Sequence, residues 1–227
     1  MFDDGITVAG GSGVYSERVR LDAVGGLVKR IFDAAFSLIA LISLLPLFIA
    51  IIVVIRLSSK GRAFFVHPRI GLNGQMFPCL KFRTMVIDAD DQLSRILETD
   101  PDAQVEFELY QKLKGDPRIV PGIGTFLRTT SLDELPQLIN VLLGQMSIVG
   151  PRPVTKEELP KYGKAVGEYL RVRPGITGLW QVSGRNNLSF DERVMIDQTY
   201  IRGWSLAKDL GIILRTVDVM FMRRGAY

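Results

Sequence analysis

One cysteine, Cys79, and one histidine, His67, stand in 227 residues. A lone cysteine forms no internal disulfide, and a single histidine cannot complete a Cys/His zinc cluster or a pair of ligating imidazoles. Zinc hydrolases and disulfide-stapled secreted modules are thereby excluded. Acids are absent from long stretches: there is none from Ala34 to Ile87, where Arg56, Lys60, Arg62, Arg69, Lys81 and Arg83 supply six positive charges. The overall balance of 28 Lys+Arg against 24 Asp+Glu, a net charge of +4, conceals this segregation. The length accommodates one or two compact units.

What is present instead is a long apolar run. From Ala34 to Ile55, 22 consecutive residues carry no charge, enough for a helix of roughly 33 Å. A signal peptide fits poorly, because the run starts late and is followed by Arg56, Lys60 and Arg62 where a cleavage site would need small residues. A buried helix of a soluble core is the plain alternative. Basic residues flank both ends, with Arg18, Arg20, Lys29 and Arg30 before the run, so the positive-inside rule is best satisfied if both flanks stay cytoplasmic. Pro46 lies within the run, where it removes one backbone donor, and Ser43 can satisfy a freed group locally. A re-entrant hairpin hinged at Ser43 and Pro46 is favoured over a kinked crossing. The expected organisation is a flexible arm over 1–25, a re-entrant membrane helix over 26–60 and a cytosolic catalytic domain at the membrane interface over 61–227.

The GGSG string from Gly10 to Gly13 lacks the Lys-Ser/Thr ending of a phosphate loop. Extended patterns at Phe64 to Val66 and Met76 to Phe82, around the turn Gly71-Leu72-Asn73-Gly74, predict a small hairpin. The acid-free basic stretch suits anionic lipid headgroups or a polyphosphate ligand, whereas no motif supports nucleic acid. From Asp88 to Glu108 the sign reverses, with eight acids against Arg95, as in a solvated helical face or a lid. Asp88-Ala-Asp90 imitates a metal-binding DxD motif, a match that is common by chance. Near the C-terminus Leu206, Leu210, Ile213, Leu214, Val217 and Phe221 form a helical stripe, readable as core packing or as an interfacial amphipathic helix.

Between Asp116 and Glu157 the only acids are the neighbours Asp133 and Glu134. Leu135, Leu138, Ile139 and Leu142 continue with a helical period, and Ser131 with Glu134 has capping-box spacing, although Pro136 is comfortable only in a first turn. The pair is therefore expected at the positive end of a helix. First-turn acids are usually ordinary, but Arg118, Arg128 and Arg152 share this acid-poor stretch. Arg171, Arg173 and Arg185 share another, Tyr169 to Phe190, with no acid. Arginines around a helix start make a phosphate site. There one carboxylate can act as a nucleophile and a second can hold Mg²⁺, with Mn²⁺ as the alternative ion.

At this point LKFRTM (80–85), LRTTSLDELPQLINVLLGQMSIVGPRP (127–153) and RPGITGLWQVSGRN (173–186) come together, and the chain resembles the bacterial sugar transferase family over about residues 26–227. These are monotopic phosphoglycosyl transferases that act on polyprenyl phosphate. The resemblance implies Asp133 as nucleophile, Glu134 as metal and phosphate ligand, and basic motif residues at Lys81, Arg83, Arg128, Arg152 and Arg185. The family breaks its re-entrant helix at a Ser-Pro pair; here Leu45 precedes Pro46 and Ser43 lies three residues earlier. HPRIGLNGQ (67–75), Cys79, the RGAY ending and the short length resemble the exopolysaccharide-initiating galactose-phosphate transferases. The four further N-terminal membrane helices of larger relatives are not expected.

The resemblance thus implies a mainly α monotopic membrane protein with a small β-hairpin, a re-entrant N-terminal helix and interfacial amphipathic helices, on the cytoplasmic face of a bacterial inner membrane. Its substrates would be a UDP-sugar and undecaprenyl phosphate, with UMP released through a phosphosugar-aspartyl intermediate and Mg²⁺ at Asp133 and Glu134. Anionic lipids, downstream glycosyltransferases and a homo-oligomer would be its partners. Two competitors stand beside this reading: a metal-dependent glycosyltransferase using Asp88 and Asp90 and releasing UDP, and a non-catalytic membrane-anchored scaffold.

Overall fold

The computed structural model describes residues 22–110, 113–184 and 188–221. Most of the expected arm, with its GGSG string, and the RGAY ending lie outside the described residues. Helices dominate, as expected. In chain order the elements are α1 (Gly26–Ser43), α2 (Leu45–Ser58), β1 (Phe64–Ile70), β2 (Met76–Phe82), α3 (Ala89–Thr99), α4 (Pro101–Tyr110), α5 (Ile123–Thr130), α6 (Gln137–Leu142), β3 (Ser147–Val149), α7 (Val166–Tyr169), β4 (Gly175–Thr177), α8 (Leu179–Ser183), α9 (Phe190–Arg202) and α10 (Leu206–Phe221). β1 and β2 form the predicted hairpin. Its turn is possible because Asn73 and Gly74 both take the left-handed conformation, φ 57° and 75°, which Asn and Gly tolerate best.

The described residues fall into two compact units. The first draws on the described residues within 22–43, 66–80 and 136–221. Its core packs Ile70, Val154, Leu159, Tyr162, Tyr169 and Val194, and it contains a parallel strand pair, with Ser147 opposite Gly175 and Val149 opposite Thr177. The strands approach closely where Gly175 meets the backbone of Gly150, leaving no room for a Cβ.

Within this unit α1 is inside out. Lys29, Asp33 and Ser37, one turn apart on one face, are 2%, 1% and 0% exposed, while Leu27, Val28, Ile31, Leu38, Ile39 and Ile42 all face outward. A helix on a water-facing surface shows the opposite arrangement. The buried face is fully engaged. Lys29 Nζ donates to Asp209 Oδ2 at 2.6 Å. Asp33 Oδ1 accepts from the Ile148 N–H at 3.1 Å. Ser37 Oγ donates to the Leu138 carbonyl. Arg30 donates to the Val141 and Leu142 carbonyls at 2.8 and 2.7 Å, satisfying acceptors that the end of α6 leaves open. Asp209 also accepts from Tyr200 Oη and Trp204 Nε1, at 2.8 and 2.9 Å.

α10 repeats the inversion. It buries Asp209 and Ile212, while Leu210, Leu214 and Val217 of the expected stripe are exposed. Core packing therefore does not account for the stripe.

The second unit draws on Leu44–Phe65 and Lys81–Leu135. α2 buries Phe48, Ile51 and Ile55; Phe48 meets Phe82 at 5.3 Å between centroids, and Phe82 stacks on Phe64 at 5.4 Å. Among the described residues no single helix is long and apolar enough to cross a membrane, but α1 and α2 reach that composition together, bent by 63° at the break. The break falls at Leu44, between Ser43, the last residue of α1, and α2, in which Pro46 is the second residue. A proline there forfeits no hydrogen bond, because the first-turn N–H groups have no helical acceptor.

Removing one partner of a dry ion pair strands the other. Lys29→Met is expected to lower stability by about 3–5 kcal/mol, and the double variant Lys29→Met/Asp209→Leu to recover most of the loss. Thermal unfolding of the detergent-solubilised protein measures both. Equal losses in the single and double variants would mean that the stranded charge is not the cause.

Candidate active site

α5 ends at Ser131, a non-glycine residue held in the left-handed region at φ 57°, ψ 17°, a conformation that costs about 1–2 kcal/mol. The chain then makes a single 3₁₀ turn, Leu132–Glu134, and α6 begins only at Gln137. Of the two helix starts that the sequence leaves open, near Asp133 or at Ser131, neither is an α-helical start: a 3₁₀ turn carries the acidic pair and the capping-box spacing of Ser131 and Glu134 goes unused. Pro136 is the reason. In a helix begun at Ser131, its missing N–H would have served the Leu132 carbonyl. That carbonyl instead accepts from Leu135 N at 3.2 Å, and Ser131 O from Glu134 N at 3.2 Å. No side-chain cap forms at Ser131.

Released from a cap, the Glu134 carboxylate accepts from Lys81 Nζ at 2.6 Å, both side chains being about one third exposed or less. Asp133 feels opposing forces. Burial, then the neighbouring Glu134 carboxylate, push its carboxyl up to about 6, against the pull of Lys81 and Arg128. Arg128 lies in the last turn of α5. It is held by Nε donating to the buried Thr84 Oγ1 at 3.1 Å and by NH2 donating to Met85 Sδ at 3.8 Å, and the residue is exposed. The result is a carboxylate that is mostly ionised at neutral pH yet half-desolvated, with two cations beside it and a second carboxylate next to it. Such a group suits attack on a phosphoryl centre, whose charge the cations offset.

Lys81, Arg128, Asp133 and Glu134 are therefore brought together. Arg83 has another engagement: its guanidinium donates to the Lys60 and Ser59 carbonyls at 2.7 and 3.1 Å and to Ser59 Oγ at 2.6 Å, closing the C-terminus of α2. Arg152 and Arg173 belong to the first unit. Arg152 is exposed, whereas Arg173 Nε donates to the Gly144 carbonyl at 2.9 Å. Arg185 lies outside the described residues. Asp88 and Asp90 are exposed, and Asp88 Oδ2 accepts from Gln92 Nε2 at 3.1 Å. A cleft of about 380 Å³ lined by Ile96, Asp100, Ala103 and Lys114 includes no residue of the Asp133 site. Thr84, which aims Arg128, was not picked out in the sequence. Its place inside LKFRTM, directly after Arg83, was the available signal.

The family model described as bacterial sugar transferase matches residues 24–223. The chain belongs to the bacterial sugar transferase family. Among similar proteins, the exopolysaccharide production protein ExoY of Sinorhizobium fredii is 48% identical over 204 residues, covering 90% of each chain. The undecaprenyl-phosphate galactose phosphotransferase of Salmonella typhimurium is 47% identical over 200 residues, 88% of this chain and 42% of the relative. The UDP-glucose:undecaprenyl-phosphate glucose-1-phosphate transferase of Xanthomonas campestris is 38% identical over 209 residues, 88% of this chain and 40% of the relative. This chain thus spans less than half the length of both named transferases. The matched residues embrace the whole range from α1 to α10, in keeping with the resemblance over 26–227.

A carboxyl raised in the folded state favours folding while protonated, and this contribution is lost as pH rises from about 4 through 6. At pH 7.5 the ionised Asp133 therefore costs stability. Asp133→Asn is expected to stabilise the protein by about 1–3 kcal/mol at that pH and to have little effect at pH 4, as read by thermal unfolding. In wild-type protein, carboxyl ¹³C chemical shifts should place the Asp133 midpoint near 6; Lys81→Met should move it upward. A midpoint that stays in place in the variant would contradict the assigned role of the lysine.

Proposed function

We propose that this chain transfers a hexose-1-phosphate, galactose-1-phosphate by preference, from UDP-sugar to undecaprenyl phosphate and releases UMP, as the first membrane step of exopolysaccharide synthesis. The observation that carries the reading is Asp133: a half-desolvated carboxyl with a midpoint near neutrality, set between Glu134, Lys81 and Arg128. The names of the relatives supply the substrate classes. Identity to the galactose phosphotransferase, 47%, exceeds identity to the glucose-1-phosphate transferase, 38%, which favours the galactosyl donor.

In the proposed first step an Asp133 carboxylate oxygen forms a bond to the phosphorus that bears the sugar. The bond from that phosphorus to the bridging oxygen breaks, and UMP leaves with the electron pair. In the second step an oxygen of undecaprenyl phosphate attacks the same phosphorus and the aspartyl oxygen departs, regenerating the carboxylate. Arg128 and Lys81 offset charge on the phosphoryl oxygens. Asp133 and Glu134 would hold Mg²⁺, since two hard carboxylates completed by substrate phosphates are a sufficient protein donor set for that ion. Bound there, the ion would screen the repulsion between carboxylate and diphosphate.

The apolar outward faces of α1 and α10 support membrane association, because their buried charges and exposed leucines and isoleucines match a lipid environment. The bent helix pair, with basic residues on both sides, supports a re-entrant hairpin whose two ends share the cytoplasmic face. The cytosolic donor and the lipid acceptor would then meet at the headgroup plane.

Incubation with a panel of UDP-sugars and undecaprenyl phosphate should release UMP, fastest with UDP-galactose. Release of UDP would instead indicate glycosyl transfer and refute the mechanism. Asp133→Asn should lose turnover by at least about three orders of magnitude and show no phosphosugar adduct by intact-protein mass spectrometry. If that variant still supported polysaccharide synthesis in cells, a scaffold role would replace the catalytic one.

A further inference from the structure

The first unit concentrates arginines that the two-step chemistry at Asp133 leaves unused. Arg69 follows His67 and Pro68 on β1, and its NH1 donates to Glu158 Oε2 at 2.9 Å and to the Pro153 carbonyl at 3.3 Å. This places it against the segment Gly150 to Val154, which carries Arg152. The Ile70–Val154 bridge, with Ile70 N to Val154 O at 2.9 Å, fixes that juxtaposition. Tyr169 Oη reaches the same seam, bonding the Ile70 and Arg152 carbonyls at 3.1 and 3.4 Å. Tyr162 packs on Tyr169 at 4.8 Å between centroids and donates from Oη to Asp197 Oδ2 at 2.8 Å. Asp197 lies on α9 four residues after Arg193, hence on the same helix face. Arg193 stands 4.8 Å from the Trp180 ring centroid and donates from Nε to the Leu188 carbonyl at 3.1 Å. Its planar fork is thereby fixed, and among the described residues no hydrogen bond engages its two terminal nitrogens.

The charges in this group do not cancel. Glu158 already serves Arg69. Asp197 is 1% exposed, its Oδ1 has no hydrogen-bond partner among the described residues, and burial pushes its carboxyl up to about 7. It is only partly ionised at neutral pH and makes a weak counterion. The arginines register the imbalance: after burial, Arg152 is the next cause lowering both Arg69 and Arg193. Arginines held near one another, one of them with its fork laid over an indole ring, match a phosphoryl group, which accepts paired N–H donors in one plane.

We propose that Arg152 and Arg193, backed by Arg69, form a phosphoryl-binding site of the first unit, in which Trp180 holds the Arg193 fork in place. Arg152 was expected to contact phosphate from the sequence; the new assignments are Arg193, Trp180 and Arg69. The site rests on the proposed function only for the identity of the phosphate ester, donor nucleotide or lipid acceptor.

Arginine protection in the unmutated, detergent-solubilised protein tests it. Phenylglyoxal modification, mapped by mass spectrometry, should be slowed about tenfold at Arg152 and Arg193 by saturating UMP or by undecaprenyl phosphate, with exposed Arg95 unaffected. Protection by UMP assigns the site to the donor, and protection by the lipid phosphate alone to the acceptor. Uridine must not protect; equal protection by uridine, or none by either ester, overturns the proposal. Trp180 emission is the second readout. Arg193→Gln, shown to be folded by its melting curve, should bind the protecting ester about tenfold more weakly, and Arg193→Lys should retain part of the affinity. Unchanged binding in Arg193→Gln also overturns the site. If wild-type protein transfers from no UDP-sugar yet shows the protection, the proposed function fails and this site stands. UMP release with unprotected arginines is the reverse result.

Discussion

The polar seam on α1 is the constraint from which the first unit is built. With leucine and isoleucine on the outside of that helix, Lys29, Asp33 and Ser37 have no water to turn to. Each must be satisfied from within. Asp209 therefore comes from α10, the Ile148 N–H from β3 and the Leu138 carbonyl from α6. Tyr200 and Trp204 complete the lysine–aspartate pair, so α9 and α10 are tied to the same helix. Ordinary hydrophobic packing tolerates sliding; a dry ion pair with three donors on one carboxylate does not. The segment that leads into Arg152 inherits its position from Asp33 through Ile148.

The second unit solves a different electrostatic problem. In the proposed mechanism the Asp133 carboxylate must be ionised near neutral pH but poorly enough solvated to react. Desolvation and Glu134 raise the Asp133 carboxyl, and Lys81 with Arg128 restrain the rise. The left-handed Ser131 and the single 3₁₀ turn place both acids ahead of α6, and a backbone hydrogen bond at Asp133 adds to the restraint. The strain at Ser131 sits beside the reactive group, as strained residues commonly do.

Much of this was legible in the residues. The hairpin was, because strand alternation flanks a turn that only Asn and Gly accommodate readily. The isolated acidic pair was, because no other acid lies between Asp116 and Glu157. Three things were not. The capping box at Ser131 satisfied a spacing rule, but Pro136 deprived the helix of a donor, and local spacing does not reveal which of two rules prevails. A true capping box stands at Ser189 and Glu192, opening α9. Arg83 carries the charge expected of a phosphate ligand, yet its guanidinium serves carbonyls at the end of α2, and composition does not distinguish an anion from an orphan carbonyl. Lys29 fell just before the uncharged run and was read as its basic flank, and Asp33 was not singled out; their partners are as many as 180 residues away, beyond any periodicity argument. Arg193 was hidden similarly, its place being set by Trp180 and by the seam that Tyr162 and Asp197 join.

Four consecutive residues close the second unit. Lys81 holds Glu134, Phe82 fills the aromatic cluster with Phe48 and Phe64, Arg83 grips the end of α2, and the Thr84 hydroxyl steadies Arg128. Lys81 and Phe82 end β2 and Arg83 and Thr84 follow it, so four successive residues each anchor a different part of the unit. There is no slack residue between the end of α2 and the cations around Asp133. One short stretch of chain thus ties the end of α2 to the two cations beside Asp133.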